Sequence, residues 1–457
     1  MNLNWVTVLV FTLVLNAAQF ARSFDDVETT SMRPRVIATT DGEIDDRCSM
    51  VRFLLYANEW DIEGIIYSSS KFHWKGHDWA GESWIERDID LYAESYNKLK
   101  LHAAGYPTPP QLKNVVYVGN IDDVGEMQKQ TPGSNRIVDV LLDDKGGPVY
   151  LQAWGGTNTI ARALKTIEVE YPDQSEKVAK KAIVYVILDQ DRTLRDYVLK
   201  QWPEVQVLGS FRQFGCIAYD WTKKMPPDVL EYFRAPWMKK HILSDHGPLC
   251  SRYEAHKKDR MRKGSLYRKG DFRSEGDSPA FMHQINVGLD SLEHPEFGGW
   301  GGRFSRDRKK GDNVWQGAKD DGDRNKPIWR WAVAFQNDWA ARADWCVENY
   351  DDANHPPVVT LQHDHDLTAG AAENVVLVAN GEDPDRDQLS YRWWQYKEPG
   401  SYPSTIEIRD AGRSQASFIV PRDAKQGQTI HIVCEVTDTG SPPLTRYQRV
   451  IVTLAGD

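Results

Sequence analysis

Between residues 33 and 215 the chain alternates two kinds of stretch. Short, almost continuously apolar runs rich in β-branched residues lie at 36–40, 62–68, 115–118, 149–154, 183–188 and 205–208. Between them, apolar residues at helical spacing fill stretches such as 85–98, 135–142 and 159–168. Runs that are apolar at successive positions are those of strands covered on both faces, and their alternation with helices predicts a mostly parallel sheet flanked by helices. A further helix is predicted over 327–347, with Trp329, Ala332, Val333, Gln336 and Trp339 on one side. Residues 245–275 and 303–326 are rich in Lys, Arg, Asp and Gly and read as surface excursions. After His355-Pro356-Pro357 the pattern changes to short alternating runs at 375–379, 389–394, 405–408, 417–420, 430–435 and 449–454. Regularly spaced short strands of this kind predict an antiparallel β-sandwich of immunoglobulin-like type. The expected organisation is an α/β domain over 33–350 and a sandwich domain over 355–457.

The amino terminus adds a compartment. Residues 5–18 are apolar and Ala21-Arg22-Ser23 follows, which reads as a secretory signal peptide over 1–23. The run is short for a bilayer span, and no other segment is long and apolar enough, so no membrane contact is expected after cleavage. The mature protein is expected outside the cytoplasm, extracellular or periplasmic. A chain of 457 residues with 27% charged and 40% hydrophobic residues is globular rather than disordered. A net charge of −10 argues against nonspecific nucleic-acid binding. The 17 Trp and 19 Tyr exceed what cores usually need, and aromatic faces stack on sugar rings, which points to a carbohydrate partner. Within this acidic chain the stretch from Arg252 to Arg273 is basic, either a solvated face or a site for an acidic polymer. The five cysteines show no C-x-x-C spacing and support no zinc or redox motif. Cys48 and Cys434 sit in apolar patterns as buried thiols, and a disulfide between Cys216 and Cys250 is left open.

The chemistry concentrates where the first predicted strand ends. Asp41 follows the run 36–40, Asp45-Asp46 come next, and Cys48, Val51 and Leu55 then mark a helix. A helix cap explains one of these carboxylates, not three. Clustered carboxylates need a cation or protons to offset them, and a hard divalent ion, most naturally calcium, suits an oxygen-only set.

Thr39 to Asp46 resembles the amino-terminal signature of the nucleoside hydrolases, Asp-x-Asp-Pro-Gly-x-Asp-Asp, with Thr39, Gly42 and Glu43 standing where that signature has its first Asp, Pro and Gly. The resemblance implies a nucleoside hydrolase-like fold, with Asp41 as general base and calcium ligand, Asp45 as a holder of sugar hydroxyls and Asp46 as a ligand. Gly155-Gly156-Thr157-Asn158-Thr159-Ile160-Ala161 resembles that family's Gly-x-Leu-Thr-Asn-Ile-Ala segment, which implies the Thr157 carbonyl as a ligand and Asn158 on the substrate. Glu275-Gly276-Asp277-Ser278-Pro279 is the best counterpart of the family's late His-Asp-Pro segment and implies Asp277 as the fourth ligand, with Asp245 as a rival. The histidine of that segment is missing, Glu275 and His283 are the substitutes left open, and Glu275 is also expected among the substrate contacts. Asp189, at the mouth of the fifth predicted strand, and Trp300, in a Gly- and Trp-rich loop foreign to the family, complete the expected substrate contacts. In the sandwich, Asp383-Pro384-Asp385-Arg386-Asp387 has the spacing of a calcium loop or of a tight acidic turn, and Trp394 with Tyr396 makes one strand face a possible sugar platform.

The whole arrangement is similar to a secreted bacterial group that joins a nucleoside hydrolase-like domain to a carboxy-terminal β-sandwich and is described as cellulose-binding. The expected function is a calcium-dependent glycoside hydrolase acting on a carbohydrate or N-glycoside by water attack at the anomeric carbon. The alternative is a polysaccharide-binding protein, for cellulose, without catalysis.

Overall fold

Strand β1 (Arg35–Thr40) is buried along its whole length and lies inside an eight-stranded sheet. The computed structural model describes residues 33–456, so the expected signal peptide lies outside the described residues. After β1 come α1 (Ile44–Leu55), β2 (Asp61–Tyr67), α2 (Trp84–His102), α3 (Pro109–Lys113), β3 (Val116–Val118), α4 (Pro132–Leu142), β4 (Val149–Ala153), α5 (Asn158–Glu170), α6 (Ser175–Lys181), β5 (Ala182–Ile187) and β6 (Gln206–Ser210). A small hairpin, β7 (Arg260–Arg262) and β8 (Ser265–Tyr267), stands apart. Strands β9 (Phe304–Arg306) and β10 (Val314–Gly317) return to the main sheet, whose order is β3-β2-β1-β4-β5-β6-β10-β9. All neighbours are parallel except the edge strand β9.

Successive side chains of the strands enter two different cores, because their directions alternate. Ile37, Ile66, Leu151 and Val184 pack with Ile137 and Leu141 of α4 and Ile160 and Leu164 of α5. Val36, Ala38, Ile65 and Tyr150 pack with Val51 and Leu55 of α1 and Ile89 of α2. From β1 the chain runs outward through β2 and β3 and then crosses back to β4 on the other side of β1, so the crevice at the carboxyl ends of β1 and β4 is the switch point where such sheets bind ligands.

Two expectations about residues 303–347 change. Part of 303–326 is sheet rather than surface excursion: Trp315 pairs with Leu208 of β6, but a four-residue strand among charges leaves little pattern to read. The helix expected over 327–347 is two, Lys326–Trp329 and Ala332–Asp344, with Val333 37% exposed. The break frees Arg330 to pair with Asp320 at 2.7 Å and to lie 4.0 Å from the Tyr396 ring.

The sandwich comprises β11 (Val358–Leu361), β12 (Asp366–Ala369), β13 (Asn374–Glu382), β14 (Ser390–Gln395), β15 (Gln415–Ile419), β16 (Thr429–Thr437) and β17 (Thr445–Leu454). One sheet has the order β11-β13-β15 and the other β12-β17-β16-β14. All its strand pairs are antiparallel except β12 with β17. Residues 405–408 are not a strand: the Gln395 side chain binds the Ile406 N–H at 2.9 Å and the Ser404 carbonyl at 3.1 Å in place of a ladder. Trp393 enters the sandwich core, whereas Trp394 and Tyr396 pack on Trp331 with ring centroids 5.9 and 6.0 Å away. The expected sugar platform is thus the seam between sandwich and α/β part, closed further by Tyr447 at 5.2 Å from Trp331. Much of the tryptophan content is packing, since Trp60, Trp84, Trp154, Trp221, Trp300 and Trp339 are all fully buried.

In the acidic turn of the sandwich, Asp383 Oδ1 accepts the N–H groups of Asp385 and Asp387, each at 2.9 Å. Asp385 binds His355 at 3.0 Å. All five cysteines are free and buried, so Cys216 and Cys250 are not joined; Cys250 lies beside Cys346 instead.

Candidate functional site

Where β1 ends, the backbone turns sharply. Gly42 has φ +78°, and an added Cβ there would lie 2.8 Å from the Ala80 Cβ, so only glycine fits. Helix α1 then starts with Asp45 and Asp46 in its first turn, where the exposed N–H groups favour negative charge. Asp46 Oδ1 accepts from the Asp41 N–H at 3.2 Å and from the Thr40 hydroxyl, folding the turn back on itself. Asp277 arrives from far along the chain, just before the short helix Ser278–Met282.

Oxygens of Asp45, Asp46 and Asp277 all lie within 4.8 Å of one another. Asp41 adjoins them, and its Oδ2, like Oδ2 of Asp277, is buried without a hydrogen-bond partner. Among the described residues no lysine or arginine forms an ion pair with any of the four. Burial, reinforced by mutual repulsion, pushes the carboxyls of Asp45, Asp46 and Asp277 well above the usual range. Two orphaned carboxylate oxygens inside an oxygen-only cluster fit a hard cation such as calcium, which takes six to eight oxygen ligands. The expected division of roles shifts in one respect: Asp45 belongs to the tight triple rather than standing outside it.

The rim adds Tyr219 and His73, which no sequence motif singled out, to Glu43 and Gly276, which lie inside the motifs. The Tyr219 hydroxyl is bonded to Glu43 Oε1 at 2.6 Å and Asp45 Oδ1 at 3.2 Å. Burial, followed by the charges of Asp45 and Glu43, raises its pKa far above the ordinary tyrosine value. His73 Nε2 approaches Glu43 at 3.8 Å. Gly276 lets the Asp277 segment press on Asp45, since an added Cβ would lie 2.8 Å from Asp45 Oδ2. Glu43 sits inside the signature and was legible there; Tyr219 lies in an irregular loop with no pattern to mark it.

The other expected site residues have different surroundings. The hydroxyl of Thr157 bonds to Thr193 at 2.7 Å and Asp191 at 3.3 Å, and its carbonyl accepts the first helical bond of α5, from Ala161 at 2.8 Å. The Asn158 side-chain NH2 donates to the Ser69 hydroxyl and the Asn120 and Glu126 carbonyls, tying loops together, while its Oδ1 is buried without a partner. Glu275 is fully buried and paired with Arg52 at 2.6 Å, so it is an anchor and not a sugar contact. Trp300 is 1% exposed, with the Arg446 guanidinium 5.8 Å from its ring, and offers no free face. His283 is fully buried between Tyr185 and Phe304, its pKa lowered by burial to about 4, and it serves no acid role in the crevice. Asp189 pairs with Arg195 at 2.8 Å in a separate cleft. The rival Asp245 lies outside the cluster, beside His246, which binds Asp344.

A family model described as the nucleoside hydrolase-like domain of cellulose-binding Sde182 matches residues 35–304. The chain belongs to this Sde182 family. A second model, described as the C-terminal domain of cellulose-binding protein Sde0182, matches residues 374–454. The chain is similar to a solved nucleoside hydrolase-related protein from Saccharophagus degradans, described as associated with carbohydrate metabolism. The identity is 32%, the match covers 92% of this chain and 100% of that one, and the TM-score is 0.75. A PKD domain from the KIAA 1837 protein aligns over 22% of this chain and 88% of its own, at 19% identity and a TM-score of 0.17. No curated protein matches the chain.

Membership of the Sde182 family accounts for the joint architecture, a nucleoside hydrolase-like sheet followed by a sandwich. It also frames the departure at Thr39. Its hydroxyl donates to the Gln152 carbonyl at 3.1 Å, so this side chain braces β1 against β4 and adds no carboxylate to the cluster.

Proposed function

We propose that this Sde182-family chain is a secreted, calcium-dependent glycoside hydrolase acting on a carbohydrate, with its chemistry in residues 33–350 and the 355–457 sandwich as a support. The observation that carries this reading is the convergence of Asp45, Asp46 and Asp277 at the switch-point crevice, with Asp41 beside them and oxygens of Asp41 and Asp277 buried and unpartnered. Asp45, Asp46, Asp277 and Asp41 would hold the ion, and the Thr157 carbonyl is the remaining candidate ligand. Calcium, when bound, offsets the carboxylate charge and acidifies water.

The residues of the chain then have distinct tasks. Asp41 Oδ2 is the free acceptor, and it takes a proton from the water that attacks the anomeric carbon. Asp45, steadied by Tyr219, grips sugar hydroxyls and favours an oxocarbenium-like transition state. Direct attack by water inverts the anomeric centre. Replacing Asp41 with Asn tests the reading, using product analysis on a panel of plant oligosaccharides and nucleosides with and without a chelator. Hydrolysis that survives both the variant and the chelator overturns it.

A second reading, a polysaccharide-binding protein without catalysis, is favoured by two observations. Thr39 is a brace where nucleoside hydrolases carry an aspartate, and His283 is sealed in the core. Both family descriptions also name cellulose binding. Under this reading Asp41→Asn leaves binding intact and there is no hydrolysis to lose.

A further inference from the structure

A second cleft lies along the same edge of the sheet, at the carboxyl ends of β5, β6 and β10. Its volume is about 640 Å³, inside the range of roughly 300–1,000 Å³ typical of small-molecule sites. Leu188, Leu194 and Phe211 give it apolar walls, and Arg212, Lys319 and Arg324 give it charge. Among the described residues none of these three cations pairs with an acidic side chain. The carboxylate of Asp189 is met by Arg195, and its Oδ1 is buried without a partner. Lys310 pairs with Asp307 and also lies 4.5 Å from the Phe211 ring. In a chain of net charge −10 this is a local reversal of sign. Free cations around an apolar hollow suit a ligand that is anionic and carries a C–H face. Planar guanidinium forks, in particular, match a carboxylate bidentately.

The cleft adjoins the acidic cluster. Gln213 lines it, and the ring of the next residue, Phe214, would lie 3.2 Å from a Cβ placed on Gly276. That same point is 2.8 Å from Asp45 Oδ2.

We propose that the larger cleft binds a uronic acid unit of an acidic polysaccharide, its carboxylate on Arg212 and Arg324 and its ring against Phe211. The proposal rests on the saccharide reading of the acidic cluster and narrows the substrate class.

Calorimetric titration of the full chain tests it, using trigalacturonate, the same trisaccharide with its carboxyls reduced, cellotriose and glucose 6-phosphate. The expected result is at least about tenfold tighter binding of trigalacturonate than of its reduced form, as for a charge-assisted hydrogen bond, shrinking in high salt. The preference is expected to vanish in Arg212→Gln/Arg324→Gln and to weaken in Lys319→Gln, a second variant should the double one fail to fold. Equal binding of the charged and reduced sugars, tighter binding of glucose 6-phosphate, or a preference unchanged in the folded variants overturns the proposal. The two readings fail separately. A preference that resists the arginine changes but is lost in Asp46→Asn removes the cleft and leaves the cluster reading standing. Hydrolysis indifferent to chelation and to Asp46→Asn removes the cluster reading, while the cleft's charge preference is still read by the titration.

Discussion

Arg52 and Glu275 form an ion pair at 2.6 Å with neither side chain exposed. It joins α1, which carries Asp45 and Asp46, to the segment that carries Asp277. Arg52 is held further by the Phe335 carbonyl at 3.2 Å, the Gln336 amide oxygen at 2.6 Å and the Trp339 ring at 4.0 Å. The distance between two parts of the acidic cluster is therefore set by a bond outside it.

Breaking that pair should be severe. Arg52→Met leaves Glu275 buried without its partner, and such losses cost about 3–5 kcal/mol. Urea unfolding is expected to show this fall, and calcium should bind more weakly to whatever remains folded. A change below about 1 kcal/mol would mean that the anchor lies elsewhere.

Calcium itself should stabilise the chain. At a hundredfold excess over its dissociation constant a ligand of the folded state adds about 2.7 kcal/mol. The expected outcome is a rise in the urea midpoint on adding calcium to chelated protein, absent in Asp46→Asn and in Asp277→Asn. In chelator, both variants should be more stable than the parent, because each removes one of the repelling buried charges.

The close approach at Gly155 gives a finer test. A Cβ added there would lie 2.9 Å from the Cβ of Asp41. Gly155→Ala is expected to displace Asp41 and to cost more than about tenfold in calcium affinity or turnover, against a small loss of stability. A variant that binds calcium normally would show that the turn yields instead of the carboxylate.

Acid should loosen the seam to the sandwich. His102 Nδ1 lies 2.9 Å from His355 Nε2, and burial lowers the His102 value from 6.5 to about 4. At His102 the folded chain therefore binds less of a proton than the unfolded chain between these two pH values. The contribution of His102 is expected to be full above the unfolded value and to be lost as pH falls from 6.5 towards 4. Urea midpoints measured across this window should fall less steeply for His102→Gln than for the parent.

The main sheet was legible because strands buried on both faces leave runs such as 149–154 that hardly resemble anything else. Strands β11 and β12 were not, since they are short and half polar. The carboxylates were legible as a group because three of them share one strand-to-helix turn. Asp277 needed the family resemblance to be found at all. Trp300, Glu275 and Trp394 misled for a common reason: a motif position, a loop or a strand face marks a side chain as a candidate, but whether it meets ligand or protein depends on packing between distant segments. Trp331 is distant in sequence from Tyr396 and Tyr447, and no local pattern couples them.

The aromatic seam has a bearing on how this molecule can be handled. Cut near His355, the sandwich would carry Trp394, Tyr396 and Tyr447 into water as a sticky patch, and the remaining piece would bare Trp331. The carboxy-terminal part is thus no detachable cassette to be grafted onto other enzymes; it is the second half of a joint, and the two halves should melt together.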